Sequence, residues 1–210
     1  MLVRFFSLLL LVELLLPGRL CAESASDCLL AVGEALDRAD AVLFQRKVDV
    51  DALVTQGIDV FVACANDPQM AQAMPPILAL VLSQASKKDS TGQAIRSVLT
   101  SECRAFLLQG VASGAFAGRP QGHSAGQGGM LAPLFANASM GRKEIVAIGN
   151  AEREGEGWMV PFTLHDAGNG QNYALEALVK DVQGELKVCQ ILNLPEIFLQ
   201  VLHEAQHYAE

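Results

Sequence analysis

The segment from Arg142 to Leu194 constrains the fold more than any other part of the 210-residue chain. Within it, four apolar residues alternate with residues of other types, and a second apolar set repeats the same spacing. The first set is Trp158, Val160, Phe162 and Leu164, and the second is Tyr173, Leu175, Ala177 and Val179. A period of two is typical of β-strands that bury one face of a sheet more deeply than the other. The segment therefore predicts strands that share one buried face.

Two turn signals divide this segment. Asn169-Gly170 and Gln183-Gly184 are candidates for tight hairpin turns, because glycine and asparagine adopt positive φ at low cost. Residues 142–194 therefore predict a four-stranded antiparallel sheet. Pro161 has no backbone N–H, which predicts that its strand lies at an edge of the sheet or at a bulge.

Residues 26–110 predict the helices that cover this sheet. Ser26 or Asp27 is a candidate N-cap for a first helix, whose apolar stripe comprises Leu29, Val32, Leu36, Ala39 and Leu43. Asp49 is a candidate N-cap for a second helix that ends before Pro68. These two helices predict an antiparallel hairpin.

Two more helices are predicted, one from Pro76 and one from Ser90 or Thr91 that ends at Gly110. Residues 110–129 are rich in glycine and predict a surface loop. Residues 195–208 predict a C-terminal helix. The chain is thus assigned to the α+β class, as N-terminal helices packed on a four-stranded antiparallel sheet with a C-terminal helix. Residues 23–210 are predicted to form a single domain.

Residues 1–22 have the pattern of a secretory signal peptide. Arg4 precedes a short apolar run, Pro17-Gly18 breaks it, and Ala22 offers a small residue for cleavage. The run is too short to span a bilayer. We therefore expect removal of this segment on export, no transmembrane segment after its removal, and a periplasmic or secreted protein.

The charge of the chain restricts its partners. The formal net charge is −8, and removal of the first 22 residues, which hold two arginines and one glutamate, makes it more negative. Nucleic acid is therefore not an expected partner, because its phosphates attract basic surfaces. The expected partners are an apolar small molecule or a protein of the cell envelope.

Four cysteines remain after removal of Cys21, and an even number in an oxidising compartment predicts disulfide bonds. The helical hairpin would place Cys28 beside Cys64, because the start of its first helix lies near the end of its second. Cys103 would then pair with Cys189 by elimination. Four buried thiols are the alternative.

The sequence His203-Glu204-Ala205-Gln206-His207 matches the His-Glu-x-x-His pattern of zinc metalloproteases, in which two histidines one helical turn apart hold the metal. Only three residues follow it, so a third ligand would have to come from upstream, for example from His123, His165 or Asp166. A solvated terminal helix is the preferred interpretation. No catalytic residue or cofactor is assigned.

Two short stretches resemble uncharacterised secreted bacterial proteins: Ala35-Leu36 through Ala39-Asp40 to Val48-Asp49, and Gly184 to Val188 leading to Ile191-Leu192-Asn193. Such proteins usually carry tryptophan where this chain has Leu186. The order of helices and antiparallel strands is similar to the nuclear-transport-factor-two-like cone fold. That resemblance implies helices closing over a curved sheet, often with a cavity between them.

The alternating residues of the sheet are expected to form core and, secondarily, to line such an apolar cavity: Trp158, Val160, Phe162, Tyr173 and Leu175. The leading functional hypothesis is an exported, non-catalytic module. It would bind an apolar ligand or lipid in the cavity, or a partner through the sheet side opposite its helices. The alternatives are a zinc-dependent hydrolase that uses the C-terminal histidines and an interaction subunit of an envelope complex.

Overall fold

The computed structural model describes residues 23–74, 76–119 and 141–207. The predicted signal peptide lies outside the described residues, as do residues 120–129 of the predicted loop and the side chains of His203 and His207. The helices before the sheet are α1 (Ala25–Arg38), α2 (Ala41–Lys47), α3 (Val50–Asn66), α4 (Pro68–Ala73), α5 (Pro76–Ala85) and α6 (Ser90–Ala112). A short 3₁₀ helix follows at Ala115–Ala117. The strands are β1 (Lys143–Ile148), β2 (Glu152–Glu154), β3 (Gly157–Asp166), β4 (Gln171–Val182) and β5 (Glu185–Ile191), and α7 spans Leu194–His207.

The α+β prediction is confirmed, with one additional strand. The strand order is β1-β3-β4-β5, all neighbours are antiparallel, and the three-residue β2 pairs with β3 beyond the end of β1. The helices precede the sheet and α7 follows it, as expected.

The period of two along β4 does mark a buried and an exposed face. Tyr173, Leu175, Ala177 and Val179 are buried, whereas Asn172, Ala174 and Glu176 between them are exposed. Val160 of β3 lies opposite Ala177 in the register and is also fully buried. Both belong to one hydrophobic core with Cys28, Leu29 and Val32 of α1. The helices therefore cover the face that the sequence marks as apolar.

The first predicted helix is two helices, α1 and α2. The N-cap of α1 is Ser24 rather than the predicted Ser26 or Asp27, and Asp27 instead completes a capping box by accepting a hydrogen bond from the Ser24 N–H at 3.0 Å. The helix ends at Arg38, because Ala39 adopts a left-handed conformation (φ 58°). Asp40 then caps α2 through the N–H groups of Val42 and Leu43. The predicted cap of the next helix is confirmed: the Asp49 carboxylate accepts from the Ala52 N–H at 3.0 Å.

The two turn signals give different turns. Gln183 and Gly184 both have positive φ (59° and 86°), as a two-residue type I′ hairpin turn requires. The tight turn predicted at Asn169-Gly170 is instead a four-residue loop between the paired residues Asp166 and Gln171. Of that pair of turn residues only Gly170 has a positive φ, and the Asn169 side chain accepts a hydrogen bond from the Gln171 N–H.

The prediction that Pro161 marks an edge strand or a bulge is wrong, since β3 has a neighbour on each side and its pairing with β4 is regular through Pro161. The Pro161 carbonyl accepts from the Gly149 N–H at 2.7 Å, at the point where β1 has ended and β2 has not begun. The backbone N and C=O of one strand residue point to the same side. The missing N–H therefore faces this gap and removes no hydrogen bond from the β3–β4 ladder.

Helix α6 continues past its predicted end at Gly110 to Ala112. The buried ring of Phe116, from the following 3₁₀ helix, lies against Gly110 so closely that a Cβ atom there would overlap it. Gly110 thus serves close packing inside the helix rather than helix termination.

The free edge of β5 is covered by the helices. The Leu186 carbonyl accepts from the Cys28 thiol at 3.2 Å, and the Val188 carbonyl accepts from the Asp49 N–H at 2.9 Å. The Gln56 side chain then pairs with the N–H and C=O of Ile191 at 3.0 and 2.7 Å. These contacts give hydrogen-bond partners to backbone groups along the edge of β5 and hold α3 beside the end of that strand. The candidate site lies at this junction.

Candidate functional site

An apolar pocket of about 290 Å³ lies where α3, α6, the end of β5 and α7 meet. All nine residues that line it are apolar: Leu53, Val54, Gly57, Val60, Phe61, Leu107, Ile191, Leu194 and Phe198. Ligand pockets in proteins are mostly apolar concavities that begin at about this volume. Among the cavities of the described residues, this one has the lining best suited to an apolar ligand.

Helix α3 supplies the floor of this pocket, which we call the α3–α7 pocket. Leu53, Gly57, Val60 and Phe61 recur at the three- and four-residue spacing that places side chains on one helix face. Gly57 also lies on this face, but it has no side chain to occupy the space next to it. An ideal Cβ atom at Gly57 has no neighbour within 4 Å, so part of the open volume lies directly above this residue.

Helix α7 supplies the opposite wall through Leu194 and Phe198. The Phe198 ring meets the Phe61 ring edge to face, with a centroid distance of 4.7 Å and an interplanar angle of 86°. This is a favourable arrangement for two aromatic quadrupoles. The contact sets the distance between α3 and α7 at one end of the pocket.

The strand wall of the pocket presents no free backbone polar group at Ile191. Its N–H and C=O are both bonded to the Gln56 side chain, as described above. The lining residues include no group that titrates or acts as a nucleophile. The pocket can therefore take up an apolar group by removing it from water, and its lining supplies no means of proton transfer or covalent chemistry.

A polar cluster lies further along α7. The Tyr173 hydroxyl donates to Glu204 Oε2 at 2.7 Å and accepts from Asn169 Nδ2 at 2.7 Å. Gln200 donates to the second carboxylate oxygen, Glu204 Oε1, at 3.0 Å. Burial, and then the bond to Glu204, raise the pKa of Tyr173 to about 12. The phenol therefore keeps its proton and remains the donor over the physiological pH range.

The five predicted cavity residues share the helix-facing side of the sheet by their spacing along β3 and β4. Val160 is part of the core, and Arg153 lies over the Trp158 ring at 4.7 Å from its centroid. Phe162 and Leu175 border a second pocket of about 310 Å³, and Tyr173 bonds Glu204. None of the five lines the α3–α7 pocket.

The sequence does contain a signal for the α3–α7 pocket. Leu53 and Phe61 stand out as members of the apolar stripe of α3, and Gly57 is an isolated glycine inside a helical pattern. Such a glycine reduces helix stability and often has a packing or functional reason. The elements opposite α3 are set by tertiary structure, so the stripe by itself indicates only a core face.

The expected disulfide bonds are absent, and Cys28, Cys64, Cys103 and Cys189 are free thiols. The partner of α1 in the helical hairpin is the short α2, whose last carbonyl, of Lys47, accepts from the Cys28 thiol at 3.6 Å. Helix α3 therefore begins beside Cys28 and carries Cys64 roughly 20 Å away along its axis, at 1.5 Å per residue. With the first bridge excluded, the pairing of Cys103 with Cys189 by elimination loses its basis.

Burial also makes these thiols poor nucleophiles. It raises the pKa of Cys28 to about 12, with a further contribution from Glu23, and it raises the pKa of Cys103 to about 12, with a contribution from Glu102. The pKa values of Cys64 and Cys189 are raised in the same direction by burial. Because the thiolate is the reactive form, none of the four is set up for nucleophilic attack at neutral pH.

The predicted upstream zinc ligands are occupied elsewhere or lie outside the described residues. His165 Nδ1 is 2.8 Å from Asn172 Oδ1, and Asp166 is bound by Lys143 Nζ at 2.6 Å. His123 belongs to the part of the chain that the structure does not describe. Within the described residues, no three His, Cys, Asp or Glu side chains are grouped to hold a metal ion.

The Lys143–Asp166 pair is a largely buried ion pair at the β3–β4 loop. Asp166 also accepts from the Gly168 N–H at 2.8 Å, which shapes the loop. Burial lowers the pKa of Lys143, although its contact with Asp166 acts in the opposite direction. The pair thus has a clear structural role in closing this end of the sheet.

Comparison with protein-family models, curated proteins and solved structures found no match to this chain. Of the helices that the structure describes, none combines the length and apolar character needed to cross a membrane.

Proposed function

We propose that this protein is an exported, non-catalytic binding module that holds a small apolar ligand in the α3–α7 pocket. The observation that carries the proposal is the composition of the lining, in which every residue is apolar around a volume of about 290 Å³. A pocket of this kind favours an uncharged group, because a charge placed in it would lose its hydration without gaining a partner. Export is proposed from the signal-peptide pattern of residues 1–22.

The volume sets the size of the ligand. An apolar cavity of about 150 Å³ is large enough for one benzene ring. The α3–α7 pocket is about twice as large, so it encloses two aromatic rings or a short acyl chain, and a third ring would extend from it. A long-chain lipid would place only part of its tail inside.

The proposal is tested by filling the pocket. In Gly57→Leu the new side chain starts from a Cβ position with free space around it and extends among the lining residues. Leucine is also a better helix former than glycine, so the variant is expected to fold. Ala105→Leu is the matched control, since Ala105 is an exposed residue in the middle of α6.

Binding is measured by fluorescence titration with N-phenyl-1-naphthylamine, an uncharged aromatic probe whose emission rises in apolar surroundings. The natural protein and Ala105→Leu are expected to bind the probe alike, and Gly57→Leu at least about tenfold more weakly, equivalent to 1.4 kcal/mol. Equal binding by Gly57→Leu would place the probe elsewhere, and absence of binding by the natural protein would contradict the proposed function.

A further inference from the structure

We infer that α7 is a gate over the α3–α7 pocket and that the hydrogen bond between Tyr173 and Glu204 is its latch. The inference rests on the proposed function for its biological meaning, but its structural content is independent of any ligand. Tyr173 does not line the pocket. It acts as a positioning residue, through Glu204 and the helix that carries it.

The connection before α7 forms a fixed hinge. Strand β5 ends at Ile191 and α7 begins at Leu194, so two residues join them. The Asn193 side chain is anchored to β4, with Oδ1 accepting from the Glu176 N–H at 3.0 Å and Nδ2 donating to the Ala174 carbonyl at 2.9 Å. The start of α7 is therefore tied to the sheet whether or not the rest of the helix is docked.

The latch lies at the other end of the helix. Glu204 is ten residues beyond Leu194, roughly 15 Å along the helix axis. Phe198, which forms the pocket wall, lies between hinge and latch. A small rotation about the hinge that breaks the latch would withdraw Phe198 from Phe61 and open the pocket on its α7 side.

The hydrogen bond of the latch joins a residue fixed in the sheet to a residue on a partly exposed helix. Tyr173 is buried and rigidly placed on β4, and it donates to a carboxylate, which makes a stronger hydrogen bond than a neutral acceptor. Glu204 is carried by a helix whose outer side faces solvent, where Leu199 and Val201 are 38% and 42% exposed. Opening therefore exposes one face of α7 and leaves the core between α1 and the sheet intact.

The gate is tested without a ligand by thiol labelling. Val54→Cys places a thiol on a pocket-lining residue that is only 7% exposed while α7 is docked, and its reaction with N-ethylmaleimide is followed by peptide mass mapping. Cys28 is an internal control, because it is fully buried on the core face of α1 and reacts only when the whole domain unfolds. The ratio of labelling at residue 54 to labelling at Cys28 separates opening of α7 from global unfolding.

In the Val54→Cys background, Tyr173→Phe and Glu204→Ala are each expected to raise that ratio about tenfold, the effect on an opening equilibrium of losing a hydrogen bond to a charged group. Glu204→Gln keeps an acceptor oxygen and should restore slow labelling. The Tyr173→Phe/Glu204→Ala double variant should label no faster than either single variant, because both remove the same bond.

Unchanged labelling at residue 54 in both single variants, or a rise matched by Cys28, would overturn the latch. Independent, additive effects of the two substitutions would also overturn it. If the natural protein does not bind the probe, the proposed function is contradicted, and the labelling result alone decides whether α7 opens. Tight probe binding together with unchanged labelling would support the function and reject the gate.

Discussion

Replacing Gly57 and Gly92 by alanine is expected to change the free energy of unfolding in opposite directions. Both glycines lie inside helices, so each substitution gains helix propensity, about 1 kcal/mol at an interior position. A Cβ atom at Gly57 would meet nothing within 4 Å. Gly57→Ala should therefore stabilise the protein by about 1 kcal/mol and raise Tm by about 2–4 °C for a chain of this length.

Gly92 lies in the first turn of α6, where the preceding chain crosses closely over it. A Cβ atom there would overlap the Lys87 carbonyl oxygen and lie 2.8 Å from its carbon. Backbone atoms yield less readily than a side-chain end, and overpacking costs about 1–3 kcal/mol. Overlap with backbone atoms places the cost in the upper part of that range, and the gain in propensity is at most about 1 kcal/mol, so Gly92→Ala should be destabilising by about 1–2 kcal/mol.

Urea denaturation of the natural protein and the two variants measures both effects. A loss of stability in Gly57→Ala would show that the space above α3 is filled, and it would remove the basis of the α3–α7 pocket. A gain in Gly92→Ala would contradict the close approach of the α5–α6 connection.

Three further substitutions test separate features. Gln183→Asn should stabilise by up to about 1 kcal/mol, because asparagine tolerates the positive φ that Gln183 adopts beside Gly184, and an unchanged midpoint in urea would count against the type I′ turn. Asp166→Asn should cost about 3 kcal/mol by leaving Lys143 buried without its counter-ion, and calorimetry showing no decrease in Tm would contradict that role. The Cys28 pKa is raised, so the folded state keeps a proton that the unfolded state loses above about pH 9, and stability falls as the pH rises. Cys28→Ala should lessen this fall between about pH 8 and pH 10, and an equal fall in both proteins would rule out the contribution.

The sheet could be predicted because its signals are local. Burial alternates along one strand with a period of two, so Tyr173 and Leu175 reveal their face without knowledge of their partners. The turn at Gln183-Gly184 likewise needs only residues that tolerate positive φ. The loop at Asn169-Gly170 differs because Asp166 and Asn169 use their side chains to build a longer turn.

The predictions that are wrong depend on places where the conformation of one residue sets the relative positions of distant helices. The left-handed conformation of Ala39 has no glycine or proline to announce it, yet it divides the first helix and changes which helix runs beside α1. The Cys28–Cys64 prediction failed with it. The α3–α7 pocket was missed for a related reason: an unfilled space between four elements depends on their relative positions, whereas periodicity reports one element at a time.

The central claim, that the α3–α7 pocket holds an apolar ligand, is tested most directly by methyl NMR during titration with N-phenyl-1-naphthylamine. Leu53, Leu107 and Ile191 line the pocket on three different elements, and their methyl signals are expected to shift together with one dissociation constant. Val160 and Leu175 lie on the sheet away from that lining, and their signals should stay in place. Shifts confined to Val160 and Leu175, or no shift at any methyl group, would contradict the account.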